Sequence, residues 1–354
     1  MRVGRDRFGR RGFALVTTGI SLVALVGVLG LATDIGRMYI VKNEMQAYAD
    51  AAAVTAALEL DGSSAGITRA ANTIPASTNR WNMGTSTFSG TQTDFATEST
   101  GPWAASPSPA SGYRFARVRA TAAVPLYFLP AVGAPTTSVI NSNAVAGQVL
   151  KTDFSEGVFP FSPFAHNNGQ PDFGFTTGVH YTLRWGSNPN LDVNVCPGDN
   201  ATQWVEHATA GSSSERGYIE YNSSDIIRQA IEGDYQTAPL TIGDPVVMTG
   251  GNKQTQRDSL INRINQDTDP SSASYAQYVA GGTGNGRRLA VVPVNTGYPD
   301  NIVLGFGLFF LLVPTEYVQS GNRPFCAEFV GPYVQGSDHK GGGAVGSYVV
   351  RLVQ

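Results

Sequence analysis

Residues that could do chemistry are thinly spread along this 354-residue chain. Its two cysteines, Cys196 and Cys326, lie far apart, no CxxC occurs, and His166, His180, His207 and His339 are scattered, so zinc-site spacing is absent. In an oxidising compartment the cysteines can form one disulfide; otherwise they are two unrelated buried thiols. Asn265, Asp267 and Asp269 offer oxygens at i, i+2 and i+4, the beginning of a calcium loop. The Gly and distal Glu of such a loop are missing, and the simpler reading is a helix ending in a solvated Asp-rich turn before Pro270. The segment Gly281–Arg288, GGTGNGRR, lacks the Lys-Ser/Thr of a phosphate loop and reads as a surface turn. Asn200 and Asn222 open N-x-S/T triplets and read as polar loops. Trp81, Trp103, Trp185 and Trp204 could line a sugar site, but Trp more commonly fills a core edge with its N–H satisfied. Neither GxSxG nor HExxH is present. No catalytic, cofactor-binding or metal-ligating residue is therefore assigned, no cofactor is expected, and the chain reads as non-enzymatic.

The elements that would carry any such residues follow from composition and periodicity. Charged residues are only 14%, Gly (41) and Pro (20) are plentiful, and the net charge is −3. No basic field favours nucleic acid, and the composition suits a β-rich extracytoplasmic surface. From Phe13 to Thr33 no residue is charged. As a helix that run spans ~30 Å, the thickness of a bilayer core. Arg2, Arg5, Arg7, Arg10 and Arg11 precede it against a single Asp6, a topology signal that places the amino terminus in the cytoplasm and the rest outside. The rival reading is a cleaved secretory signal, which has a shorter apolar region followed by a loop. Here the helical pattern continues instead. Met38, Val41, Met45, Tyr48 and Ala52 share one face, Ala47–Ala57 is rich in alanine, and no Pro or Gly interrupts Arg37–Asp61 before Gly62 supplies a stop. One helix is expected from Phe13 to about Leu60. Its seam packs on its own domain or, alternatively, meets a second helix in a homo-oligomer.

These same residues carry a resemblance. Arg10-Arg11-Gly12 before Ala14-Leu15-Val16, then Asp34-Ile35-Gly36-Arg37, then Gln46-Ala47 and Ala49-Asp50-Ala51-Ala52-Ala53, resemble the TadG-like proteins (TadE/TadG-like family) of the Tad/Flp pilus-assembly system. The pattern rests on Gly12, Asp34, Gly36, Arg37, Ala49 and Asp50; it is close over residues 8–60 and looser to about 150. The resemblance implies a bacterial single-pass inner-membrane protein with a large periplasmic part, acting in the assembly or anchoring of Flp-type pili or in the associated secretion. It also implies membrane lipid and other Tad/Flp proteins as partners. Many such proteins carry a von Willebrand A-type domain with a DxSxS metal motif. Asp61-Gly62-Ser63-Ser64-Ala65 lacks the final serine, so that site is not carried over. The alternative function is a membrane-anchored carbohydrate-binding module or hydrolase.

Beyond the helix, residues 61–112 are rich in Ser, Thr, Ala, Gly and Pro and read mostly as loop, with a short helix near Ala65–Thr73. Ala116, Val118, Ala120, Ala122 and Val124 alternate with polar residues, predicting a strand that Pro125 ends or leaves at an edge; TTSVINSNAVAGQV predicts its neighbour. After Lys151 short apolar runs recur between turn signals: HYTLRW, GYIEY, DPVVM, RLAVVPV, NIVLGFGLFFLLV and GSYVVRLV. KQTQRDSLINRINQD predicts one helix with Leu260, Ile261 and Ile264 inward. Ile302–Val313 is too short to span a membrane and reads as one or two buried strands. The expected fold is α+β: a long amino-terminal transmembrane helix continuing outside, a small antiparallel sheet, then a mostly β domain. The parts are 1–12 (cytoplasmic tip), 13–33 (span), 34–60 (helix continuation), 61–150 (helix-plus-strand region) and 151–354 (mostly β domain).

Gly12-Phe13 resembles the junction cut by type IV prepilin peptidases. Mature pilins carry Glu five residues in, where this chain has Thr17. A subunit that stays in the membrane has no use for a buried Glu, and threonine can bond its own helix backbone. We expect Met1–Gly12 to be retained as a cytoplasmic stub. Amino-terminal sequencing of membrane-extracted protein checks this: a mature chain starting at Phe13 overturns it.

Overall fold

The structure, a computed structural model, describes residues 7–72, 80–81, 86–88, 90–170, 172–186, 195–202, 215–221, 223–233, 239–250, 255–318, 323–337, 339–343 and 346–353. Helix α1 (Arg7–Leu58) is continuous over 52 residues, roughly 78 Å. Its two halves live in different surroundings. Phe13, Leu15, Ile20, Leu25 and Val28 are exposed to nothing but solvent in the isolated chain, whereas Val41, Met45, Tyr48, Ala49, Ala52, Ala53, Ala56 and Ala57 are buried. The expected three-four seam is that buried face. The helix stops two residues short of the expected Leu60. Gly62, left-handed at φ +79°, instead shapes the turn into α2 (Ser64–Asn72).

The seam lies on a sheet. β1 (Arg80–Trp81) and β2 (Ser86–Thr87) form a small ladder of their own. β3 (Gly90–Ala96), β4 (Phe115–Pro125) and β5 (Thr137–Leu150) form an antiparallel meander with β4 in the middle. Along β4 the alternation is as predicted, Ala116, Val118, Ala120, Ala122 and Val124 facing α1, and Pro125 ends the strand. Small residues on the sheet meet small residues on the helix, so the two backbones can approach closely and no large void is left. β3 lies in the stretch 61–112 expected to be mostly loop, and it forms a strand instead. Its sequence, GTQTDFA, is polar because Asp94 is satisfied across the sheet by Arg117 at 2.9 Å and Arg119 at 2.7 Å, a pairing with no local signature.

The rest is mostly strand around an aromatic core of Phe159, Phe161, Phe175, Phe306, Phe309 and Phe329. β6 (Asp153–Phe154) pairs with β9 (Leu240–Thr241), and β8 (Glu215–Ile219) with β10 (Met248–Gly250). β7 (His180–Arg184), β11 (Leu289–Asn295), β12 (Val303–Leu311) and β13 (Phe325–Gly331) form an antiparallel sheet in the order β11-β12-β13-β7. The run Ile302–Val313 thus supplies a single buried strand. DPVVM supplies none beyond Met248. Helices α3 (Ser224–Glu232), α4 (Gln256–Asn265) and α5 (Tyr275–Gly281) pack around this sheet; α4 is the predicted one, with Leu260 and Ile264 buried. Cys196 and Cys326 form a disulfide, Cα–Cα 5.7 Å, that ties the segment after β7 to β13.

The chain then crosses back. β15 (Ser347–Leu352), inside the stretch 151–354, pairs antiparallel with β5, and β14 (Tyr333–Gln335) pairs parallel with β15. The first sheet therefore runs β14-β15-β5-β4-β3. The approach to β15 is tight: a Cβ on Gly342 would stand 2.3 Å from the Tyr113 carbonyl oxygen. A backbone atom cannot step aside cheaply, so Gly342→Ala should destabilise the fold by about 1–3 kcal/mol. Thermal unfolding of the detergent-solubilised protein, followed by circular dichroism, should show a lowered midpoint; an unchanged midpoint contradicts the contact.

Candidate functional site at the helix–sheet joint

Most of the polar residues that α1 turns inward meet backbone of the first sheet and its loops. Asp34, the first charged residue after the apolar run, has no solvent-exposed surface. Its carboxylate accepts the backbone N–H groups of Tyr127 (3.1 Å), Phe128 (3.0 Å) and Leu129 (2.9 Å). These belong to the β4–β5 hairpin tip, where Leu129–Val132 forms a 3-10 turn closed by Gly133 at φ +94°. Clustered N–H groups make an anion cradle, and here the anion comes from the protein itself. Burial pushes the Asp34 carboxyl up. The hydrogen bonds from Leu129, Tyr127 and Phe128 and the charge of Arg37 outweigh it and hold the group below its ordinary 3.8. Arg37 donates to the Pro125 carbonyl at 3.1 Å and lies 4.4 Å from the Tyr127 ring centroid. One turn below Asp34, a Cβ on Gly30 would stand 3.0 Å from Phe128 Cβ, so the tip lies directly against the helix there.

Higher up, Lys42 donates to the Asn141 carbonyl. Gln46 donates to Asp50 at 2.7 Å and accepts from Ser142 at 2.6 Å. At the top, Gln148 on β5 donates to the carbonyls of Ala57 (2.9 Å) and Leu60 (2.7 Å), Ser337 donates to that of Leu58, and Gln148 accepts from Gly342 N–H at 2.9 Å. A helix end leaves its last carbonyls unpaired, and these side chains satisfy them.

Of the six pattern residues, Asp34, Arg37, Ala49 and Asp50 fall on this joint. Gly12 and Gly36 have open space where a Cβ would go, and no contact accounts for them. Arg2 and Arg5 lie outside the described residues; Arg7, Arg10 and Arg11 lie within the first turns of α1. Thr17 bonds back to the Phe13 carbonyl at 2.9 Å and the Ala14 carbonyl at 3.0 Å. Sequence reasoning missed Gln148. Its signal is that it follows Ile140, Ser142, Ala144 and Ala146 in the inward register of β5, where a polar residue needs a partner.

The other candidates are elsewhere and have structural partners. Asp267 and Asp269 do not form the solvated turn expected of them. Both are buried, Asp267 accepting from Tyr278 Oη (2.8 Å) and the Arg288 and Asp269 N–H groups, and Asp269 from Ser271 and Ser272. Arg288, also fully buried, donates to the Leu311 and Asp269 carbonyls, and this packing draws the Asp-rich turn inward. The glycine-rich turn fits around Tyr278, whose hydroxyl accepts from Gly286 N–H. Among the described residues no group of three or more His, Cys, Asp or Glu could hold a metal ion. Trp103 stacks on Arg117 and Trp185 packs with Phe164; Trp204, His207, Asn222 and the Trp81 side chain lie outside the described residues. A groove of about 630 Å³ is lined in part by Arg263 and Arg287, both of which donate to backbone carbonyls at the end of α3.

What the joint organises is thus the long helix and the sheet that carries it, and comparison with known proteins falls on the same stretch. Residues 12–59 match the family described as putative Flp pilus-assembly TadE/G-like. The Tad match begins at Gly12, ends within one residue of the end of α1 and lies inside the stretch 8–60 that carries the resemblance, leaving out Arg10 and Arg11. It contains the helix half of every bond from Asp34 to Ala57 described above. Comparison with curated proteins returns no match, and neither does comparison with solved structures.

The Asp34 cradle is testable by substitution and by acid. Its carboxyl is depressed below 3.8, so its stabilisation is fully present above that value and fades as pH falls beneath it. In Asp34→Asn the three N–H groups face an amide that accepts less strongly. Hydrogen-exchange protection at Tyr127, Phe128 and Leu129 should fall in the variant at neutral pH, and in the wild type only below about pH 4. Unchanged protection in the variant would remove the cradle.

Proposed function

We propose that the chain is a membrane-anchored, non-enzymatic structural component of Flp-type pilus assembly or its associated secretion machinery. The family match over residues 12–59 carries the reading. The anchor is supported by the apolar exterior of α1, which is long and apolar enough to cross a membrane and is exposed all the way from Phe13 to Leu25. In this reading Phe13–Thr33 spans the bacterial inner membrane once. Residues 1–12 form a cytoplasmic basic tip, and everything from Asp34 onward is periplasmic. The segment 34–60 continues the helix onto the sheet of 61–150, which also takes the final strand, and the remainder of 151–354 forms a second, mostly β domain. The partners are membrane lipid, other Tad/Flp proteins and, through the exposed side of α1, a second copy of the chain. The second domain then works by contact with other assembly proteins.

Deleting the gene should remove or strongly deplete surface Flp-type pili, with restoration by the wild-type chain; unchanged piliation overturns the role. A reporter active only in the periplasm, fused after Gln354, should be active. Ala24→Arg should prevent stable insertion, since a mid-membrane charge costs about 2.5–3.5 kcal/mol, and should fail to restore pili. An active cytoplasmic-only reporter reverses the orientation.

A further inference from the structure

We propose that the β4–β5 hairpin tip, residues Leu126–Ala131, is a second membrane contact, seated in the phospholipid interface on the outer face of the bilayer. This rests on the reading of Phe13–Thr33 as the span and adds to it a surface that fixes how the first sheet stands on the membrane.

Three observations converge. The first is position. Asp34 holds the tip by three N–H groups at the residue that ends the uncharged run, and Phe128 lies against Gly30, inside that run. Four residues of helix are ~6 Å. With Phe13–Thr33 in the hydrocarbon core, the tip therefore sits at the outer boundary of the bilayer. The second is composition. No charged residue occurs between Arg119 and Lys151, and the tip reads LYFLPA. Tyr127 is 64% and Phe128 40% exposed, which water gives no reason for and which suits the aromatic belt at a membrane interface.

The third is backbone accounting. Lipid tolerates irregular chain only where polar backbone groups are paired. Leu126 N–H donates to the Thr136 carbonyl and Ala131 N–H to that of Phe128, while Tyr127, Phe128 and Leu129 donate to Asp34, and Pro130 has no N–H. Every backbone donor from Leu126 to Ala131 is thus met inside the protein. The same bonds spread the Asp34 charge over three donors, with Arg37 beside it. The loop can leave water without leaving a backbone N–H unpaired.

The test uses the full chain in phosphatidylethanolamine–phosphatidylglycerol vesicles. Because Cys196 and Cys326 are bonded to each other, single cysteines can be spin-labelled at Tyr127→Cys and Ala131→Cys. Ala24→Cys serves as the mid-span reference and Val318→Cys as the water reference. Power saturation compares access to oxygen, which enters lipid, with access to a water-soluble nickel chelate. The expected result is a severalfold higher oxygen-to-nickel ratio at both tip sites than at Val318, with Ala24 higher still. If Ala24 is lipid-embedded while both tip sites match Val318, the tip contact is overturned and the anchor stands. Low access to both reagents at the tip means that protein covers it and overturns the lipid contact. Nickel access at Ala24 overturns the anchor and the tip contact together.

Discussion

A carboxylate placed where an apolar helix leaves its uncharged run has few places to go. Asp34 is removed from water, and an isolated charge there would be costly. Its cost is met by the three N–H groups of a hairpin tip folded against the helix, and the consequences spread outward. The tip is fixed in height along α1, which fixes the end of β4 and the start of β5, and hence the register in which the sheet lies on the helix. Arg37, one turn on, adds a second bond to the same tip through the Pro125 carbonyl.

The attachment is completed at the opposite end. Gln148 sits at the far end of β5 and donates to carbonyls at and just past the end of α1, so helix and sheet are pinned at both ends by polar groups aimed at backbone. Between the pins lie small apolar residues: Ala49, Ala53 and Ala56 on the helix, Ala116, Ala120 and Ala144 on the sheet. Such a face gives close approach but little directional preference. The polar pins at its ends supply the direction.

The second sheet is organised differently. Its core is aromatic, a disulfide ties β13 to the segment after β7, and several of its buried charges are consumed by the fold: Asp267 and Arg288 hold the turns around Tyr278, and Arg263 and Arg287 close the end of α3. Charged residues here answer structural needs. The two sheets are not simply consecutive, because β14 and β15 return to the first and Ser337 and Gly342 reach the helix-end cap that Gln148 makes. Loosening the second part would therefore be felt at the top of α1.

Local pattern alone determined the uncharged run, the three-four seam, the alternation of β4, the presence of β5, the helix Gln256–Asn265 and the apolar strand Val303–Leu311. Each depends on residues within one or two turns or a few strand positions, so its signal is contiguous. The resemblance in residues 8–60 was legible for the same reason. Tertiary structure alone decided what those elements meet. Asp34 reads as the end of a span until Tyr127–Leu129 fold beneath it. GTQTDFA reads as loop until Arg117 and Arg119 come alongside Asp94. The Asp-rich turn reads as solvated until Arg288 covers it, and GSYVVRLV belongs beside β5 rather than to the sheet its chain neighbours build. In every case the deciding partner lies tens of residues or more away, and the free energy that selects it comes from burying polar groups in pairs, which no single segment of sequence can display.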